Sequence, residues 1–271
     1  MDGARIHFDA WQGPSGAPAL LFVHGNGAHS HWWDFIAPAF LDRWNVLAMD
    51  LSGAGDSDHR EQYSATTFAN EIIGVARHAG YPGTVLVGHS FGGGMTRIAG
   101  YLYGDEMAGV VLVDSGISAN RGRRMPPSRP REGIRYYDSL AEAKRRFRLR
   151  PPQPCENTYI LDYIAEHSVE QTERGWRYKL DQSLFARMAA DRNLDFPDAA
   201  SLVRAIPCPV GFIYGEQSRF FDPESLAVVR SVIAPELLFC IAGAHHHLFL
   251  DQPLAFIDTL GQLLERLTGH P

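Results

Sequence analysis

Val85-Leu86-Val87-Gly88-His89-Ser90-Phe91-Gly92-Gly93-Gly94 decides how this 271-residue chain is read. Three apolar β-formers run into Gly88, and a serine then stands two positions from a glycine on either side. The pattern is G-x-S-x-G, set between strand-like and helix-like sequence. A chain that leaves a strand, turns sharply and enters a helix holds the middle residue at the tip, in a strained backbone conformation. Side chains at 88 and 92 would collide with the neighbouring helix and strand, so glycine is needed at both. The helix behind the serine offers free N–H groups and the positive end of its dipole, where an oxyanion formed on an attacked carbonyl is stabilised. The plainer alternative is a glycine-rich turn with an incidental serine. The apolar strand directly before it argues for the first reading.

Outward from this point, short β-branched apolar runs recur at 19–24, 45–50, 109–114, 210–214 and 237–241. They are apolar on both faces, as buried parallel strands are. Helical sequence separates many of them. One piece spans 67–78, and another starts at Asp222-Pro223-Glu224, a capping acid followed by proline. Leu254, Ile257, Leu260, Leu264 and Leu267 recur at helical spacing. This alternation predicts an α/β fold with a mostly parallel, doubly wound sheet. The loops HGNG, DLSG, GHSFG, DSG, GEQS and GAHHH fall at the carboxyl ends of its strands, the edge where such sheets bind ligands. Between about 117 and 206 the alternation stops, giving a Pro/Arg-rich stretch and helix-like pieces at 139–148 and 158–166. The expected organisation is a core of 1–116 and 207–271 with a helical cap, 117–206, inserted over the strand ends.

Composition is compatible with one large core: 45% of residues are hydrophobic and 21% charged. A net charge of −6 gives no reason to expect nucleic acid as a partner. The start lacks a long apolar segment and no 18-residue apolar run occurs, so a cytoplasmic protein without a membrane span is expected. Cys155, Cys208 and Cys240 are odd in number and far apart, a poor disulfide framework. Cys208 and Cys240 border or enter apolar runs and read as core thiols.

Taken together, HGNG after the run at 19–24, D-x-x-G-x-G-x-S at 50–57, the G-x-S-x-G turn and a late histidine before Asp251-Gln252-Pro253 resemble the α/β-hydrolase fold family over nearly the whole chain. Only one strand-like segment, about 5–11, precedes residue 19, where the family commonly has two. The sheet is therefore expected to be one strand short. The resemblance implies Ser90 as nucleophile and His246 as base, because the family histidine lies seven residues before the proline of this motif. His245 and His247 read as loop histidines. The oxyanion donors implied are the backbone N–H groups of Phe91 and Asn26. The acid departs from the common pattern: the usual G-x-x-D position, in the turn beginning at Gly215, holds Ser218. The family alternative is an acid ending the strand after the nucleophile helix, here Asp114, with Ser218 adding a hydrogen bond. Some small esterases resemble the chain in both respects. Glu216 and Asp222 remain alternatives. HGN also occurs in dehalogenases of this fold, but those use an aspartate nucleophile, and position 90 is serine.

The resemblance implies a serine hydrolase of carboxylic esters or thioesters, acting through an acyl-enzyme with no cofactor and no metal. A lactonase, a carbon–carbon bond hydrolase and a cofactor-free perhydrolase share the same residues. A ligand-binding receptor on the same fold is the reading from another class. The three consecutive histidines, with His24, His29 and His31, raise a metal alternative. Successive side chains of an extended segment point in opposite directions, and no H-E-x-x-H or Cys/His spacing is present. Trp32, Trp33 and Phe35 read as core, with one of them able to edge an acyl pocket. Residues 121–150 hold eleven Arg and Lys against Glu132, Asp138 and Glu142. That stretch reads as a solvated basic face or as a lid attracting an anionic small-molecule acyl substrate, such as an acyl-CoA or a carboxylate-bearing ester. A monomer or homodimer is expected.

Overall fold

The computed structural model describes residues 3–117, 133–189 and 196–269. Their main feature is a seven-stranded sheet built from β1 (Phe8–Trp11), β2 (Ala19–Val23), β3 (Asn45–Met49), β4 (Val85–His89), β5 (Gly109–Val113), β8 (Val210–Gly215) and β9 (Leu238–Ile241). The spatial order is β1-β3-β2-β4-β5-β8-β9. Strand β1 runs antiparallel to β3, and every other pairing is parallel. One strand precedes β2 among the described residues, as the single segment near 5–11 implies.

All residues of β2 to β5 are buried, which explains runs without polar alternation. The period of two still sorts the side chains. Val85, Val87, Val111 and Val113 enter one core, while Leu86, Val110 and Leu112 enter the other. The first core is closed by α8 (Leu248–Asp251) and α9 (Pro253–Thr268) and by Trp33, Ile36 and Phe40. The second is closed by α1 (Ala65–Ala79), α2 (Ser90–Tyr103), α6 (Ala199–Arg204) and α7 (Pro223–Arg230). Local chemistry sets the helix ends. Ser64 Oγ accepts from Thr67 N at 2.9 Å, and Gly80, at φ 70°, ends α1. Asp222 caps α7, accepting from Ser225 N at 2.8 Å.

The segment between β5 and β8 contains α3 (Leu140–Arg145), α4 (Thr158–His167) and α5 (Leu184–Ala189), besides α6. It also carries an antiparallel hairpin, β6 (Val169–Thr172) and β7 (Gly175–Tyr178), where only helices were expected. Val169, Thr172, Trp176 and Tyr178 favour strand, and Gly175, at φ 108°, takes a turn conformation closed to other residues. The arginines at 121–131 lie outside the described residues. Beyond them, Lys144 bridges Asp162 and Glu166 at 2.8 and 2.9 Å, and Arg148 donates to the carbonyls of Arg145 and Phe147. Part of the basic stretch is thus spent on the segment's own packing. Cys240 corrects the expectation of a core thiol. It is exposed, because β9 is an edge strand with one flank open, while Cys155 and Cys208 are half-buried. No described helix is long and apolar enough to cross a membrane.

Candidate active site

Strand register brings the polar loops together. Val23 pairs with Gly88, His89 with Val113, Val113 with Ile213, and Gly215 with Ile241. The segments beginning at 24, 90, 114, 216 and 242, the second of them the start of α2, therefore leave the sheet side by side. Between β2 and β4 the winding changes direction, since β2 leads on to β3 on one side and β4 to β5 on the other. A crevice opens at such a point, and Ser90 stands in it.

Ser90 has φ 52°. A Cβ on Gly88 would strike the Thr96 hydroxyl, and one on Gly92 would strike the backbone carbonyl of His24. The two glycines let α2 start directly against β2. The loop after β2 also closes on the serine: a Cβ on Gly25 would lie 3.2 Å from Ser90 Cβ. No side chain caps α2, so its leading N–H groups, including that of Phe91, stay open to a ligand. Among the described residues the backbone N–H of Asn26 also makes no hydrogen bond.

Asp114, Ser90 and His246 come together across 156 residues of sequence. His246 Nε2 lies 2.8 Å from Ser90 Oγ, and His246 Nδ1 lies 2.6 Å from Asp114 Oδ1. A carboxylate only accepts, so Nδ1 carries the imidazole proton and Nε2 accepts from the serine hydroxyl. Asp114 and His246 are buried. Asp114 also accepts from Gly215 N at 2.9 Å and Ser218 Oγ at 2.7 Å. Two neutral donors and one imidazole N–H thus share its oxygens. Ser218, standing where the acid was sought first, donates to the acid that is present.

The other candidates lie apart. Glu216 accepts from Gly243 N at 2.9 Å, and Asp222 caps α7. His245 turns to Asp251 at 3.2 Å, and the His247 ring packs 5.4 Å from Trp32. His24, His29 and His31 also diverge: His24 accepts from Leu51 N, His29 meets Ser168 Oγ, and His31 pairs with Asp34. Nitrogens of His89, His246 and His247 do lie within 4.8 Å of one another. Of these, the His246 nitrogens serve Ser90 and Asp114, and His89 Nε2 donates to the His246 carbonyl at 3.0 Å. The 50–57 motif is structural. Buried Asp50 accepts from Ser30 N, Asp56 N and His7, and a Cβ on Gly55 would collide with its carboxylate. Trp33 is core, stacked 4.6 Å from Phe22.

Three contributors escaped the sequence reading. The Gly215 N–H carries no side-chain signal. His89 occupies the variable position of G-x-S-x-G; burial pushes its pKa well below 6.5, so it stays neutral. Phe220, two residues beyond Ser218, lays its ring 4.4 Å from His246. The inserted segment reaches the same place, with Phe185 5.4 Å from Phe91 and Leu180 against Gly27.

A family model described as alpha/beta hydrolase fold matches residues 18–253. Among curated proteins, the 2-(acetamidomethylene)succinate hydrolase of Mesorhizobium japonicum is 26% identical over 256 residues, covering 91% of this chain and 87% of that protein. The sn-1-specific diacylglycerol lipase of Mus musculus is 22% identical over 275 residues, covering 96% and 85%. Among solved structures, a thioesterase domain from the curacin biosynthetic pathway has a TM-score of 0.79 at 21% identity, covering 95% of each chain. At that identity the likeness shows the shared fold alone.

Proposed function

The chain belongs to the alpha/beta hydrolase fold family, and on that premise we propose that it is a serine hydrolase of carboxylic esters or thioesters, acting through an acyl-enzyme on Ser90. The observation that carries this reading is the unbroken hydrogen-bond chain from Ser90 through His246 to Asp114, with the serine held at φ 52°. A lipase among the similar curated proteins agrees with it.

In this reading His246 Nε2 takes the hydroxyl proton as Ser90 Oγ attacks the acyl carbonyl. Asp114 stabilises the imidazolium formed and holds the ring in the tautomer that leaves Nε2 free. The N–H groups of Phe91 and Asn26 receive the oxyanion, a contribution of about 3–4 kcal/mol per donor in such sites. The tetrahedral intermediate collapses, and His246 returns the proton to the leaving alcohol or thiol. Water, deprotonated by the same imidazole, then attacks the acyl-enzyme and releases the acid. Residues 117–206 act as the cap that shapes access to a small acyl substrate, through Leu180 and Phe185.

A fluorophosphonate probe followed by intact-mass measurement tests the proposal. One adduct is expected on the wild type and none on Ser90→Ala. A folded wild type that stays unmodified would mean an unactivated serine and would sink the hydrolytic reading.

A further inference from the structure

Arg97 lies on α2, seven residues after Ser90. Its Nη1 donates to the carbonyl of Gly116 at 3.2 Å. Among the described residues no carboxylate pairs with it, and its Nε is buried without a partner. Nε–H and Nη2–H project from one edge of the guanidinium plane, the edge that grips a carboxylate or phosphate with two parallel hydrogen bonds. The single bond made by Nη1 leaves that edge without a hydrogen-bond partner. Partial burial, with no negative charge beside it among the described residues, draws the pKa of Arg97 down to about 10. Desolvating a cation without a counter-charge costs free energy, and an arginine serving packing alone is ordinarily paired.

Its place on the helix gives the unpartnered edge a use. Residues 90, 94 and 97 share one helical face. The head of Arg97 folds back along that face, with Nη2 3.9 Å from where a Cβ on Gly94 would stand. Gly94 leaves the strip between the guanidinium and the serine bare. Gly116 lies two residues beyond Asp114, and Ser115 Oγ donates to the Ser90 carbonyl at 2.9 Å. The guanidinium therefore sits between the start of α2 and the loop after β5, about one to two helical turns, roughly 5–10 Å, from the nucleophile.

We propose that Arg97 binds an anionic group of the substrate, a carboxylate or phosphate a few bonds from the scissile carbonyl, through its Nε/Nη2 edge. This makes the substrate class of the Ser90 site acidic esters or thioesters, and it rests on the hydrolytic reading above. A flexible chain of three or four atoms spans the gap between the carbonyl on Ser90 and an anion on Arg97.

Two experiments test this. The first needs no turnover. Ser90→Ala protein is heated with glutarate or with inorganic phosphate, and the same is done with Ser90→Ala/Arg97→Gln. A Tm rise in the first protein that disappears in the second supports the proposal, and the anion that produces it distinguishes carboxylate from phosphate. No Arg97-dependent rise with either anion overturns it. The second compares mono-p-nitrophenyl glutarate with p-nitrophenyl butyrate. The wild type should favour the glutarate ester, and Arg97→Gln should lower kcat/KM for it by about 10- to 100-fold. The butyrate ester should stay within about a factor of two. Arg97→Lys, which keeps the charge and loses the fork, should fall between. Equal losses on both esters, or no wild-type preference, would assign Arg97 a structural role and overturn the proposal. If the serine proves unactivated while glutarate still raises Tm through Arg97, the hydrolytic reading fails and the anion site stands.

Discussion

Ser90 and Asp114 are the two non-glycine residues with positive φ among those described, at 52° and 43°. Such conformations cost of order 1–3 kcal/mol each and persist where the surroundings over-determine them. Asp114 is held by Gly215 N, Ser218 Oγ and His246 Nδ1, and its own N–H donates to Ile213 O at 2.8 Å. An amide in its place would present an NH₂ to the imidazole or leave the Nδ1 proton against a neutral oxygen. Asp114→Asn should therefore lower kcat by about 10³- to 10⁴-fold while leaving the fold intact. Glu216→Gln should stay within about twofold, because among the described residues that carboxylate accepts from the backbone of Gly243 and lies apart from His246. Turnover of p-nitrophenyl butyrate by the two purified variants decides this, and reversed effects would move the acid to Glu216. The sequence favoured Asp114 by family resemblance but left Glu216 and Asp222 open, since all three end strands or follow them closely. Three-dimensional reach separates them.

At the scale of elements, the elbow depends on how closely α2 approaches β2. A methyl at Gly92 would enter the carbonyls of Val23 and His24, which are strand backbone with no freedom to move aside. Gly92→Ala should cost about 1–3 kcal/mol or more, seen as a Tm fall of about 3–10 °C. Gly261, inside α9, is the control, because a Cβ there meets nothing within 4 Å. Gly261→Ala should hold or raise Tm, by up to about 1 kcal/mol of helix propensity. Equal behaviour of the two variants would show that the helix–strand approach is not what glycine protects. The same elements show where local patterning stops being informative. Apolar runs marked the central strands, and Asp222 marked the start of α7, because each signal lies within a few residues of its effect. The hairpin β6–β7 is short, partly exposed and mixed in polarity, so it carried no comparable pattern.

The whole molecule buries several imidazoles. Burial lowers the pKa of His24, pushes His89 well below 6.5, and takes His29 and His247 to about 3. His7 and His31 go the other way, raised by hydrogen bonds to Asp50 and Asp34. For the first four, the unfolded chain gains protons below 6.5 that the folded chain refuses. Their contribution to stability is present above 6.5 and is lost as pH falls toward about 3. For His7 and His31 the contribution is present below 6.5 and is lost as pH rises through their raised values. Four groups oppose two, so the urea midpoint should fall between pH 7 and pH 5. His247→Phe, which keeps an aromatic ring against Trp32, should flatten that slope. A midpoint that is constant or rises on acidification would contradict the balance.

The sequence by itself determined the alternation of strand and helix, the serine turn with its two obligatory glycines, and the histidine to examine. These follow from side-chain volume, β-branching and capping chemistry acting between near neighbours. Only the tertiary structure separated Asp114 from Glu216 and Asp222 at His246, added the Gly215 N–H to its support, and showed that Arg97 has an edge without a hydrogen-bond partner among the described residues. In sequence Arg97 is an ordinary polar position on an amphipathic helix. A hydrogen bond formed across a hundred or more residues depends on strand register and on the angle at which loops leave the sheet. No short stretch of chain encodes either.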